Sequence, residues 1–84
     1  MSWVDDFSAK MSVAGLGQSY RAMKVLAMGL AAELRNAGAD HEEALQMTEA
    51  FFGIWTMENE ALLNWENVFK YWVDQYYRRK LWRK

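Results

Sequence analysis

The 84-residue chain contains no proline, and its apolar side chains recur at intervals of three and four, with no alternating apolar and polar run long enough for a strand. A backbone with this periodicity and nothing to break it folds as helix. The sequence therefore predicts an all-α fold, a small helical bundle of three to four helices in a single domain over 1-84, with helices over 3-13, 19-36, 41-55 and 59-82. Hydrophobic residues make up 52% and aromatics 15% of the chain, too much apolar surface for a disordered segment. The core must still be small, because a chain of this length buries only about 60 to 65% of the surface its unfolded form exposes.

Local signals mark where helices start and stop. Ser2 with Asp5 three residues on has the form of a capping box with Asp in place of Glu, and Trp3, Phe7 and Met11 follow on one face. "GLG" at 15–17 is expected to end that helix. The second runs from about Ser19 to "NAGAD", where Gly38 suits the left-handed residue just past a helix end. Tyr20, Met23, Leu26, Ala27, Leu30, Ala31 and Leu34 share one arc, while Ala22, Val25, Gly29 and Ala32 make the opposite side apolar too; such a helix is expected at the centre, packed on two sides. The third opens on Asp40 with Glu43 and carries Ala44, Leu45, Met47, Phe51, Phe52, Ile54 and Trp55 on its buried face. "TMENE" at 56–60 is the predicted break, with Thr56 or Asn59 capping the new start. A heptad pattern from Leu45 through Phe52, Leu62, Phe69, Val73 and Tyr76 offers an alternative, one continuous helix in an extended hairpin that dimerises.

The chemistry is narrowed by what the chain lacks. With no Cys there is no disulfide, thiolate metal site or cysteine nucleophile, and the chain suits a reducing compartment. The longest apolar run, 25–32, is far below the roughly 20 residues that span a bilayer. "MSWVDD" puts acids where a signal peptide carries bases, so a cytoplasmic location is expected. The lone His41 follows a helix cap, an exposed position with no zinc-ligand companions and with Asp40, Glu42 and Glu43 as the nearby acids in sequence. The acid pairs Asp5–Asp6 and Glu42–Glu43 lie at helix starts, where negative charge is stabilising. "GLGQSY" lacks the lysine and the preceding strand of a phosphate loop. The expectation is a protein that is not an enzyme, with no cofactor and no metal.

Charge is distributed unevenly. The formal total is -1, but residues 1–66 carry -6 and residues 67–84 carry +5. The closing stretch, "YWVDQYYRRKLWRK", threads seven apolar side chains through five bases. Leu62, Trp65, Val68, Phe69, Trp72, Val73 and Tyr76 fall on one arc of about 140°, the width of a core-facing stripe; beyond Tyr77 the helix is predicted to project past the core. Bases there either complement the helix dipole or form a contact surface. Trp, Tyr and Arg are the residue types that most often carry interface energy, which selects Leu63, Tyr71, Arg78, Arg79, Lys80, Leu81, Trp82 and Arg83 as the predicted partner-binding surface, facing an acidic patch on another protein.

The function expected from these features is a non-catalytic protein–protein interaction module, a small accessory or inhibitor protein. In composition alone, without a motif, the chain is similar to small accessory proteins of bacteriophages and other mobile elements. The alternative is a homo-oligomeric structural or assembly protein, in which the basic end of one chain meets the acidic body of another. Nucleic-acid binding ranks below both, because the acidic body repels a duplex, and attachment to a membrane surface ranks lower still, because most of the apolar face is committed to the core.

Overall fold

Three of the four helices start on a side-chain cap. Ser2 opens α1 (Trp3–Met11), its hydroxyl accepting from the Asp5 N–H at 3.4 Å, and Ser19 opens α2 (Tyr20–Asn36), accepting from Ala22 at 3.1 Å. Asp40 opens α3 (His41–Glu58) in a full capping box: its carboxylate accepts from the Glu43 N–H at 2.8 Å while the Glu43 carboxylate accepts from the Asp40 N–H at 3.0 Å. A 3-10 turn over Glu60–Asn64 leads into α4 (Glu66–Arg78). The computed structural model describes residues 2–82, and within them the chain is an all-α bundle.

The helices run between two common ends. α1 lies parallel to α3, with Trp3 edge-on to Phe51, Phe7 stacked on Trp55 and the Met11 carbonyl bonded to Asn59. α3 and α4 are antiparallel, since His41 pairs with Asp74, Glu49 with Lys70 and Phe52 with Phe69. α2 and α4 are parallel: Tyr20 and Lys24 meet Trp72, and Arg35 lies over Trp82. One end of the bundle therefore gathers the α1–α2 loop, the last turn of α3 and the 3-10 turn; the other gathers the end of α2, the start of α3 and the end of α4. Between them lie the fully buried Met23, Leu30, Leu34, Phe52, Leu62, Phe69 and Val73.

The predicted break is present and sharper than the sequence implied. At Asn59 the backbone leaves the helical region, with φ -143° and ψ 95°, and its side-chain oxygen accepts from the Ala61 N–H at 3.2 Å to start the 3-10 turn. This overturns the continuous-helix alternative. A radius of gyration of 11.9 Å equals the roughly 12 Å expected of a compact chain of this length and leaves no room for an extended hairpin. α3 continues to Glu58, past the predicted 55, while α1 stops at Met11, before the predicted 13 and before "GLG".

Two predicted faces need correction. α2 buries Met23, Ala27, Leu30, Ala31 and Leu34, chiefly against α4; its opposite side meets α1 around Gly29, near the Phe7 ring, but Val25 stays exposed. On α3, Met47 and Ile54 face solvent and Thr48 is buried instead. Its hydroxyl donates to the Ala44 carbonyl at 2.8 Å, so the polar group enters the core already bonded.

The predicted helix over 59-82 is also revised at both ends, since it opens as the 3-10 turn, becomes α-helix only at Glu66 and stops at Arg78. α2 closes on Gly38 at φ +95°, whose N–H donates to Arg35 while that of Ala39 donates to Leu34, the paired closure of a Schellman motif. α4 closes the same way with Lys80, at φ +50°, in the place of glycine; the Lys80 N–H reaches the Tyr77 carbonyl at 3.3 Å and the Leu81 N–H reaches Tyr76 at 3.0 Å. The reversal brings Trp82 back onto the bundle, 5.5 Å from the Tyr76 ring and 5.7 Å from Tyr77, with the Arg35 guanidinium 4.3 Å above it. From Tyr77 to Trp82 the chain does not project. Lys80→Gly, which removes a Cβ from a left-handed position, is expected to stabilise the fold by about 0.5 to 1 kcal/mol, read as a small rise in melting temperature.

Candidate functional site

The structure divides the predicted partner surface. Arg78, Arg79 and Lys80 are exposed and Leu81 is partly so at the C-terminal end of α4, whereas Leu63 sits in the 3-10 turn at the other end, roughly 20 Å away at 1.5 Å per helical residue. Tyr71 lies between them on the outward stripe of α4, seven residues before Arg78 and half exposed. Trp82 is half-buried against Tyr76, Tyr77 and Arg35, which corrects the expectation that it is held out from the core. Arg83 lies outside the described residues.

The basic end is also less basic than its sequence. The Arg78 Nε–H donates to both oxygens of Asp74 at 2.9 Å, and His41 Nε2 donates to Asp74 Oδ1 at 2.7 Å. A carboxylate only accepts, so this bond places the proton on Nε2. The His41 ring stacks on Tyr77 at 5.6 Å, and Tyr77 donates its hydroxyl to the Ala39 carbonyl at 2.7 Å. His41 thus has a partner 33 residues away, which reading the neighbouring sequence missed. Burial, with Tyr76 and the carboxylates of Asp40 and Glu43 beside it, raises the Tyr77 hydroxyl above its ordinary value. The start of α3 therefore lies against the end of α4, where Asp74 takes up one of the bases, Arg78.

Asp74 makes this cluster sensitive to acid. Burial pushes its carboxyl upward, but the hydrogen bonds from Arg78 and His41 outweigh that and hold it below the ordinary carboxylate value. A lowered folded value means the pairing stabilises fully above the unfolded value of about 3.9 and is lost as pH falls through the folded one. Asp74→Asn is expected to flatten the stability profile below about pH 4, measured by urea unfolding at a series of pH values. The cluster borders a shallow depression lined by Asp40, His41, Glu42, Leu45, Asp74 and Arg78. Its histidine has given Nε2 to Asp74, and no hydroxyl is hydrogen-bonded to it among the described residues. Nor, among those residues, does any group of three or more His, Cys, Asp or Glu stand where it could hold a metal ion. The arrangement ties α3 to α4.

The opposite end carries the three most exposed large apolar side chains among the described residues, Leu16, Met57 and Val13. Asn59 organises it: the side-chain amide donates to the carbonyls of Met11 at 2.9 Å and Ala14 at 2.7 Å, with Ser12 at 3.4 Å. Trp65 adds an indole N–H bond to the Gly15 carbonyl at 3.3 Å, and Gly15, at φ +100°, packs so closely that a Cβ there would stand 3.3 Å from the Ala61 Cβ. The α1–α2 loop is thereby fastened to the junction of α3 and the 3-10 turn. From these joined segments Val13, Leu16, Met57 and Leu63 point outward, 80%, 87%, 85% and 62% exposed. Glu58 and Glu60, either side of Asn59, are exposed and form no ion pair among the described residues. Of this set the sequence had singled out Leu63; Val13, Leu16 and Met57 carry no periodic signal, and the long-range bonds of Asn59 and Trp65 bring their segments together.

No family model matches the chain, and no curated protein or solved structure matches it either. Among the described residues no helix is long and apolar enough to cross a membrane.

Proposed function

We propose that this chain is a non-catalytic protein–protein interaction module, a small accessory or inhibitor protein, and that its principal docking surface is the loop end formed by Val13, Leu16, Met57 and Leu63. The supporting observation is the gathering of four large apolar side chains, each more than three-fifths exposed, on segments that Asn59 locks together. Apolar clusters left in water on a folded domain mark contact sites, and a preorganised one loses little conformational freedom when a partner binds. The basic end contributes a second, smaller surface of Tyr71, Arg79, Lys80 and Leu81, suited to an acidic patch on a partner protein.

Nucleic acid is disfavoured as the partner, since Arg78 is already neutralised by Asp74 and the chain carries a formal charge of -1. A chain with no Cys suits the cytoplasm. Changing Leu16 and Met57 together to Asp tests the reading. Both side chains are exposed, so helix content and melting temperature are expected to stay as in the wild type, while affinity for a partner captured by tagged pull-down falls about thirtyfold or more, the loss of about 2 kcal/mol typical of an anchor residue. A variant that binds as tightly as the wild type would move the docking surface elsewhere.

A further inference from the structure

We propose that the partner of the loop end is the C-terminal end of a second copy of this chain, a head-to-tail contact that rests on the loop end being a docking surface. α2 and α4 run from the first end to the second and α3 returns, so the two surfaces face away from each other and one molecule cannot join its own. Their chemistry is complementary. The loop end presents Leu16 and Met57 with the unpaired acids Glu58 and Glu60; the other end presents Leu81 with Arg79 and Lys80, which likewise form no ion pair among the described residues.

Counter-charges at each end do not spoil the match. Lys10 borders the groove between α1 and α2 with Asp6 and Glu33 but stays exposed, as does Arg21, so two bases lie near the loop end. At the other end Asp74 is taken up by Arg78, while Asp40, Glu42 and Glu43 are all exposed at the start of α3, Asp40 and Glu43 bonded to each other's backbone in the cap. Lys10 and Arg21 at one end and Asp40, Glu42 and Glu43 at the other are themselves of opposite sign.

Glu58 supplies an independent sign. It lies in the last turn of α3, which contains no base, and an acid there opposes the helix dipole. Helix stability alone would favour a base. A symmetric dimer through two loop ends would crowd Glu58 and Glu60 of both copies together, whereas a head-to-tail contact gives them Arg79 and Lys80. Such a contact is heterologous, so it does not close on two copies and continues into a ring or a filament.

Sedimentation of the full chain from micromolar to millimolar concentration tests this, with circular dichroism confirming that each variant is folded. The wild-type mass is expected to rise with concentration, and less so in high salt. E58K/E60K and R79E/K80E are each expected to weaken association at least about tenfold, the former while melting no lower than the wild type; mixed in equal amounts they should associate again, because each reversed end finds its reversed complement. A wild type that stays monomeric throughout overturns the proposal. So does a mixture that stays monomeric where the wild type assembles, or an R79E/K80E variant that assembles like the wild type, which would indicate a symmetric loop-end dimer. If the wild type is monomeric but L16D/M57D loses a partner retained by the wild type in a pull-down, the docking surface stands and the second copy is ruled out; if L16D/M57D changes neither assembly nor capture, both fall.

Discussion

Phe69→Ala is expected to remove about 3 to 5 kcal/mol of stability, close to the whole of the lower range open to the domain, which is roughly 4 to 13 kcal/mol for this length. The ring is fully buried at the meeting of α3 and α4, edge-on to Phe52 with 4.9 Å between ring centres. A bundle of four short helices has few other layers to close over the cavity. Trp65, which the sequence places on the same arc, is half-buried ahead of α4 and holds one bond, to Gly15. Truncating it should cost less. Chemical denaturation of the two alanine variants checks the order; equal losses would mean that the 3-10 turn does not lift Trp65 partly out of the core.

Asn59→Asp is expected to cost about 1 to 3 kcal/mol, the cost of leaving the part-buried Ala14 carbonyl without a donor, while the Met11 carbonyl keeps only the Ala14 N–H at 3.3 Å. The replacement is almost isosteric and keeps the oxygen that caps Ala61. The difference is therefore chemical. A carboxylate in place of the amide faces carbonyl oxygens with no hydrogen to offer, and the α1–α2 loop should detach from the 3-10 turn. Urea unfolding measures the loss, and limited proteolysis in the loop at residues 12–18 should accelerate with it. An Asn59→Asp variant as stable as the wild type would show that the amide bonds are incidental.

The sequence revealed those features that are encoded within a few residues. The caps at Ser2 and Asp40, the left-handed Gly38 and the break near Asn59 all follow from local backbone chemistry, and each is where it was predicted. The features it concealed depend on residues far apart along the chain. His41 finds Asp74 only because α3 and α4 run antiparallel, and Asn59 reaches Met11 only because α1 runs parallel to α3. The return of Trp82 was hidden for a different reason. A helix reversal is normally announced by glycine, as at Gly38, but here Lys80 takes the left-handed position, and nothing in "RRKLWRK" distinguishes that turn from one more turn of helix. For the same reason the basic stretch read as a projecting arm, while the apolar loop end, built from side chains without periodicity, went largely unread.

The parallel pairing of α2 with α4 has a consequence for how the chain acquires its structure. The partner that buries most of α2 is the last helix, with the whole of α3 between them in sequence. Consecutive helices in an up-and-down bundle can zip together as they form; here the main interface waits on a distant segment, and closing that long loop costs entropy before any contact compensates for it. During synthesis, Met23, Leu30 and Leu34 lack their main packing surface until α4 has been made. No piece that stops before α4 contains both halves of this interface, so α2, α3 and α4 should be gained and lost in one cooperative step.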